Sequence, residues 1–240
     1  MTSRRSLATV GGGMAIGASL AALGYAGLVA YHRARYGTVL PRTNGDSLLL
    51  DRFIPTPEVI EHHRVPIAAP AETVLSTARS LELFNSRLVR AIIKARQLAL
   101  GGQLDGRRHP PALVPQMQSI GWVILAERAG REIVLGAVTQ PWEAAPVFRS
   151  IPPGEFTAFR EPGYVKIAWT LRAEPLDGRH SMFHTETRVA TTDQQTRKRF
   201  RSYWSYVAPG VELIRLAMLG PLKKAAETAA DSEGHRLNTD

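Results

Sequence analysis

The chain has 240 residues, 44% of them hydrophobic and 21% charged, proportions that allow a buried core and exclude a disordered chain. A domain of roughly 100–200 residues with an appendage fits this length; two full domains do not. The absence of cysteine removes disulfides, thiolate metal sites and cysteine nucleophiles together.

The net charge is +9, and five basic residues (Arg4, Arg5, Arg33, Arg35 and Arg42) precede the first acidic one, Asp46, leaving +4 of that +9 for the rest. Basicity therefore gathers around an apolar segment, where anionic headgroups attract lysine and arginine, rather than in a broad patch suited to nucleic acid. A membrane lipid is the expected partner of that end, and nucleic acid is not expected.

Between Ser6 and Tyr31 lie 26 residues without a charged side chain, and about 20 apolar residues suffice for a helix to cross the hydrocarbon core. Arg4 and Arg5 flank one end, Arg33 and Arg35 the other, with Tyr25 and Tyr31 as aromatic anchors toward the second interface. Residues 1–35 read as a single-pass N-terminal transmembrane anchor. The alternative is a cleaved signal peptide and an exported protein, for which Ala22-Leu23-Gly24 and Gly24-Tyr25-Ala26 are mediocre cleavage sites and Ser3-Arg4-Arg5-Ser6-Leu7 loosely resembles a twin-arginine signal. The basic flanks nearly tie, so only the free amino group tips the N-terminus toward the inside. Gly13 and Gly17 have the small-xxx-small spacing that allows self-association through a membrane helix. No strand precedes Gly11, Gly12 and Gly13, which excludes a dinucleotide-binding loop.

Residues 36–57, with Pro41, Asn44, Gly45, Pro55 and Pro57, read as a tether, and the domain is expected over 58–230 with a flexible tail at 231–240. Glu61–Ala68 reads as a strand, followed by a helix from about Ala71 to Leu81, where Pro70 suits the start. Leu81, Phe84, Leu88, Ile92 and Ala95 give a second helix ending near Gly101-Gly102; Arg87, Arg90 and Lys94 form its opposite, solvated stripe. Prolines 110, 111 and 115 break the pattern. Strands are expected at Ile120–Glu127, Glu132–Gln140, Glu155–Arg160, Tyr164–Glu174 and Ser181–Thr191, separated by short turns that favour an antiparallel meander of about five or six strands. Thr192 and Gln195 in capping-box spacing open a long C-terminal helix, with Phe200, Tyr203, Trp204 and Val207 on one face and an expected kink or restart at Pro209-Gly210.

This order resembles that of the START-like superfamily, also called SRPBCC, which includes polyketide cyclase/dehydrase and lipid-transport proteins. The residues that carry the resemblance are Val65-Pro66-Ile67-Ala68-Ala69-Pro70-Ala71-Glu72-Thr73-Val74, Glu132-Ile133-Val134-Leu135-Gly136, Glu161 through Trp169, Thr185-Glu186-Thr187-Arg188-Val189 and Phe200-Arg201-Ser202-Tyr203-Trp204, within a match over roughly residues 58–230 that looks like an uncharacterised bacterial branch. The resemblance implies an α+β helix-grip fold, an antiparallel sheet wrapped around a long C-terminal helix. It also implies a cavity between sheet and helix for a hydrophobic or amphipathic small molecule, lipid or polyketide-like, with no cofactor and no universal catalytic residue. The N-terminal anchor departs from the usual soluble members.

Trp142, Phe148, Trp169, Arg188, Tyr203, Trp204 and Val207 are the candidate ligand-binding residues, because aromatic surface with a few polar tips is the usual composition of a pocket; for the aromatics, plain core packing competes. His184, Glu186 and Arg188 share a strand face, where an ion pair of Glu186 with Arg188 or Lys166 is expected. Glu186, His184 and Tyr203 are the candidate proton-moving residues of a cyclase, aromatase or hydratase. A third reading is a non-catalytic membrane adaptor. His62 and His63 point to opposite faces of their strand and no metalloprotease-type histidine pair occurs, so no metal site is expected.

Overall fold

A computed structural model describes residues 48–103 and 108–237, together with Gly24, Gly27 and Tyr31. The expected anchor at 1–35 otherwise lies outside the described residues, and among those described no helix is long and apolar enough to cross a membrane. The elements are α1 (Leu48–Asp51), β1 (Val59–Ile67), α2 (Ala71–Ser80), a 3-10 turn (Leu83–Asn85), α3 (Arg87–Ala99), α4 (Leu113–Ser119), β2 (Val123–Arg128), β3 (Glu132–Thr139), α5 (Pro153–Phe156), β4 (Val165–Pro175), β5 (Ser181–Thr191) and α6 (Gln194–Leu237).

Five strands form one sheet in the order β1-β5-β4-β3-β2, every neighbour antiparallel. The two-residue period of a strand assigns each side chain to a face. Ile133, Leu135 and Ala137 of β3, Trp169 and Leu171 of β4 and Phe183 of β5 join Met218, Leu222 and Ala226 of α6 in the main core. At the other end of the same inner face, Val59, Val165 and Val189 pack with Phe200, Trp204 and Ala208. The architecture is thus an α+β sheet closed against a C-terminal helix of 44 residues, of the helix-grip kind.

The outer face carries a core of its own. Leu50, Phe53 and Ile54 pack on Leu125, Val134, Val138, Phe156 and Ala168, so the stretch read as a tether is, from Leu48 onward, part of the folded unit. A β-bulge between Ile124 and Ala126 aims Leu125 into this layer. Gly136 is required opposite it: a Cβ there would stand 2.3 Å from Leu125 Cδ1.

Other elements also depart from expectation. Residues 155–160 form no strand; α5 covers Pro153–Phe156, because Pro152 and Pro153 start a helical turn that puts Phe156 edge-on to Phe53 at 6.1 Å. The prolines near 115 do not keep that region irregular: Pro115 lies in the first turn of α4, where its missing N–H costs nothing. At Pro209-Gly210 α6 does not restart, and it runs on to Leu237. Trp204, Ala208, Met218, Leu222 and Ala226, on both sides of the proline, are all buried, and this shared stripe holds the helix in register across the missing hydrogen bond.

Candidate functional site

The inner face under α6 is not wholly apolar. β1 presents Glu61, opposite Thr187 of β5, and His63, opposite Thr185, while Thr187 and Thr185 in turn lie opposite Trp169 and Leu171 of β4. Alternation puts all six on the same face as Val59 and Ile67, toward α6. Above them passes Arg215. Along α6 the positions Val211, Arg215, Met218 and Leu222 follow helical spacing, so one arginine interrupts a stripe that is otherwise apolar.

The geometry around that arginine is specific. Its Cζ lies 3.9 Å from the centroid of the Trp169 ring, a cation–π arrangement, and Nη2 donates to Thr187 Oγ1 at 2.9 Å. Trp169 is 2% exposed and donates from Nε1 to Thr185 Oγ1 at 2.6 Å, so the indole is fixed on both its face and its edge. Burial pushes the Arg215 pKa down to about 10, against the opposing charge of Glu61. His63 Nε2 stands 4.0 Å from Glu61 Oε2. Its pKa is lowered, first by burial and then by Arg215, while Glu212 opposes the shift; the imidazole is therefore neutral at pH 7. A half-buried guanidinium on α6 thus meets a neutral imidazole, a carboxylate and two hydroxyls on the sheet. Together they can hold a carboxylate, enolate or carbonyl oxygen, and apolar side chains continue on either side.

The candidates read from the sequence are distributed over three places. Trp169 stands at the centre of this cluster. Tyr203, Trp204 and Trp142 belong to the apolar group at the start of α6: Tyr203 Oη accepts from Arg96 Nε at 3.0 Å, and burial raises its pKa, against the pull of Arg96. Trp142 lies under Arg199, 4.7 Å from Cζ to ring centroid. Phe148 packs at 5.8 Å on Trp122 in the main core, and Val207 is half-buried on α6.

Arg188, Glu186 and His184 are on the opposite side of the sheet, because their even positions on β5 alternate with the inward Phe183, Thr185, Thr187 and Val189. The expected ion pair is present, with Arg188 Nε donating to Glu186 Oε1 at 2.6 Å. Arg188 Nη1 donates to Asp51 Oδ1 at 2.5 Å and to the Ile54 carbonyl at 3.2 Å, so this arginine fastens the N-terminal segment to the sheet. His184 stacks on His62 with centroids 5.5 Å apart. All three lie on the outer face of the sheet, away from α6, and not between sheet and helix as expected.

Glu61, His63 and Arg215 were not among the sequence candidates. A signal for Arg215 exists in the stripe Val211-x-x-x-Arg215-x-x-Met218, but β1 reads Glu-His-His-Arg with both faces polar, so alternation there does not say which side is inward.

No family model matches the chain, and no curated protein does. Solved structures similar to it include a hypothetical protein from Helicobacter pylori, 9% identical over 78% of this chain and 99% of that one, with a TM-score of 0.39. The Zhui aromatase/cyclase from Streptomyces sp. R1128 is 14% identical over 70% of this chain and 93% of that one, TM-score 0.29. A START superfamily protein from Mycobacterium smegmatis is 12% identical over 72% and 97%, TM-score 0.25. Such identities say nothing of ligand or chemistry. In architecture, by its strand order and its long C-terminal helix, the chain has an α+β helix-grip-like fold.

Proposed function

We propose that the protein is a membrane-tethered binding module that takes a hydrophobic or amphipathic small molecule, lipid or polyketide-like, between the inner sheet face and α6. The observation that carries this reading is Arg215, one guanidinium set into an apolar helical stripe and stacked on a buried tryptophan. Such a placement supports recognition of an acidic or carbonyl head whose apolar body lies among the flanking core groups, since pockets for such ligands are mostly apolar with a few convergent polar groups. The tether supports a ligand drawn from, or delivered to, a bilayer.

A second reading, an enzyme of the cyclase, aromatase or hydratase kind, is favoured by one observation: His63, held neutral and close to Glu61, has the charge state of a general base. In that case His63 removes the proton, Arg215 stabilises the oxyanion, and His184 and Glu186 take no part.

Native mass spectrometry of the full chain, purified in detergent from the producing cells, tests the first reading. A stoichiometric amphipathic molecule, lost in Arg215→Leu and retained in Arg188→Met, supports it. A chain that arrives empty and takes up no fatty-acid or polycyclic probe overturns it. Turnover of a captured polyketide that is abolished by His63→Gln moves the assignment to the enzyme.

A further inference from the structure

On the outer face of the sheet, away from α6's apolar stripe, a cavity of about 220 Å³ is bounded by Phe53, Ile54, Glu58, Phe159, Arg160 and Lys166, among others. Lys166 is 6% exposed. Its ammonium can donate three hydrogen bonds and donates one, to the Thr157 carbonyl at 2.9 Å; its other neighbour is the Phe156 ring at 5.2 Å. Among the described residues it forms no ion pair. Arg160 stands beside it, held through Nη1 by the carbonyls of Thr157 at 2.6 Å and Phe159 at 2.8 Å, which leaves Nε and Nη2 to other acceptors. One carboxylate borders the cavity, Glu58, and its oxygens are already engaged: Arg197 Nε approaches Oε2 at 3.1 Å, Arg197 Nη2 donates to Oε1 at 3.1 Å, and the Thr191 N–H donates to Oε1 at 3.1 Å.

A buried cation without a counter-charge is costly. Here two cations share one small cavity whose carboxylate is committed elsewhere. An anion with several oxygens would complete the ammonium's hydrogen bonds, take the free edge of Arg160 and offset the repulsion between the two. Phe53 and Phe159 give the rim an apolar character, which suits the ester carbon rather than the charged oxygens. We propose that this cavity binds a phosphate group carried on a small ester, with Lys166 and Arg160 as its donors. The site is independent of the ligand proposed under α6, and the phosphate belongs either to a lipid headgroup beside the tethered domain or to a soluble phosphoester.

The test uses the full chain in phosphatidylcholine nanodiscs and follows reductive methylation of Lys166 by peptide mass spectrometry. Inorganic phosphate and glycerol 3-phosphate are the soluble probes; nanodiscs that also contain phosphatidic acid are the lipid probe. Slowing of Lys166 methylation by the soluble probes supports a soluble phosphoester, and slowing only when phosphatidic acid is present supports a headgroup. In either arm Arg160→Gln weakens the protecting interaction about tenfold, the loss expected for one charge-assisted hydrogen bond, whereas Arg179→Gln in the exposed β4–β5 turn leaves it unchanged. Absence of protection by every probe, protection indifferent to Arg160→Gln, or a Lys166 that is never methylated because the cavity is closed to solutes would each overturn the proposal.

Discussion

Arg215 and Trp169 hold α6 against the sheet through a charge rather than through an aliphatic contact: the guanidinium carbon is 3.9 Å from the indole centroid, and the field of Glu61 partly offsets the cost of burying it. Removing one member of a buried charged pair is costly because the other is left behind, while removing both is often neutral or better. Arg215→Leu, which continues the apolar stripe, is therefore expected to lose about 2 kcal/mol of stability, and Glu61→Val/Arg215→Leu to recover it. Urea unfolding followed by tryptophan fluorescence measures both. A single mutant as stable as wild type would show that Glu61 does not depend on Arg215.

On the other face, the arginine that matters is Arg188. It bridges Glu186 on its own strand and Asp51 and Ile54 on the N-terminal segment. Arg188→Met leaves Glu186, 4% exposed, without its cation, at a cost of about 3–5 kcal/mol. It also releases residues 48–54 from the sheet. The expected result is a large drop in the unfolding midpoint, with faster amide exchange in residues 48–54 and unchanged affinity for a ligand under α6. An affinity that falls in parallel with stability would return Arg188 to the site.

These two arginines show what the sequence could and could not convey. β5 is legible to the residue, Ser181–Thr191, because the Asp177-Gly178 turn precedes it and threonine, valine and phenylalanine, which favour strands, recur at its odd positions. The pairing of Arg188 with Glu186 follows from the two-residue period of the strand. Which face is inner does not, since Thr185 and Thr187 are as polar as the residues that alternate with them and both sides of the sheet are covered. Likewise Glu155-Phe156-Thr157-Ala158-Phe159 alternates as a strand would, yet α5 begins there on Pro153; backbone restriction by proline outweighed side-chain pattern. Arg215 lies where helical spacing demands an apolar residue, and Trp169, Thr187 and Glu61 beneath it, on three different strands, explain why a charge is tolerated.

The start of α6 depends on Asp193 rather than on the expected capping box of Thr192 and Gln195. Asp193 Oδ1 accepts from the Thr196 N–H at 2.8 Å, and Oδ2 accepts from Thr196 Oγ1 at 2.5 Å and from the Gly163 N–H at 2.7 Å. It is therefore both an N-cap and a tie between α6 and the turn before β4. These hydrogen bonds, with the Thr196 hydroxyl first, hold its pKa well below 3.8. A depressed carboxylate stabilises the fold above its unfolded pKa, and that contribution is lost as pH falls through the folded value. Asp193→Ala should lower the melting temperature at pH 7 and flatten its dependence on pH below about 4. Asp193→Asn should retain part of the cap but show the same flattening. An acid limb as steep as in wild type would place the titration elsewhere.

His63 provides a second pH dependence with a different window. Its folded pKa lies below 6.5, chiefly from burial and then from Arg215, so the unfolded chain takes up a proton first as pH falls. Stability from this group is full above about 6.5 and declines as pH drops from there toward the folded value. NMR titration of the His63 ring should give a midpoint below 6.5 in wild type and a higher one in Arg215→Leu, which removes a neighbouring positive charge. A midpoint indifferent to Arg215 would dissolve the coupling between helix and β1 on which the general-base reading depends.

Lys166 works in the opposite pH range. Burial, and secondarily Arg160, lowers its pKa from 10.5 to about 8. Between those values the folded chain carries a neutral amine while the unfolded chain keeps its proton, so the unfolded state binds more protons and stability rises with pH across the interval. Below about pH 8 the penalty is fully present. Lys166→Met keeps the volume and removes the charge, and is expected to be more stable than wild type at pH 7 by about 1 kcal/mol, an advantage that fades toward pH 10. An anion separates this cost from a function for it: the phosphate source that the cavity takes, inorganic phosphate for a soluble ester or phosphatidic acid in the nanodisc for a headgroup, raises the melting temperature of wild type at pH 7 and leaves that of Lys166→Met in place, narrowing the gap between them. A gap unchanged both by inorganic phosphate and by phosphatidic acid in the nanodisc would mean that the ammonium is buried for no ligand of this kind.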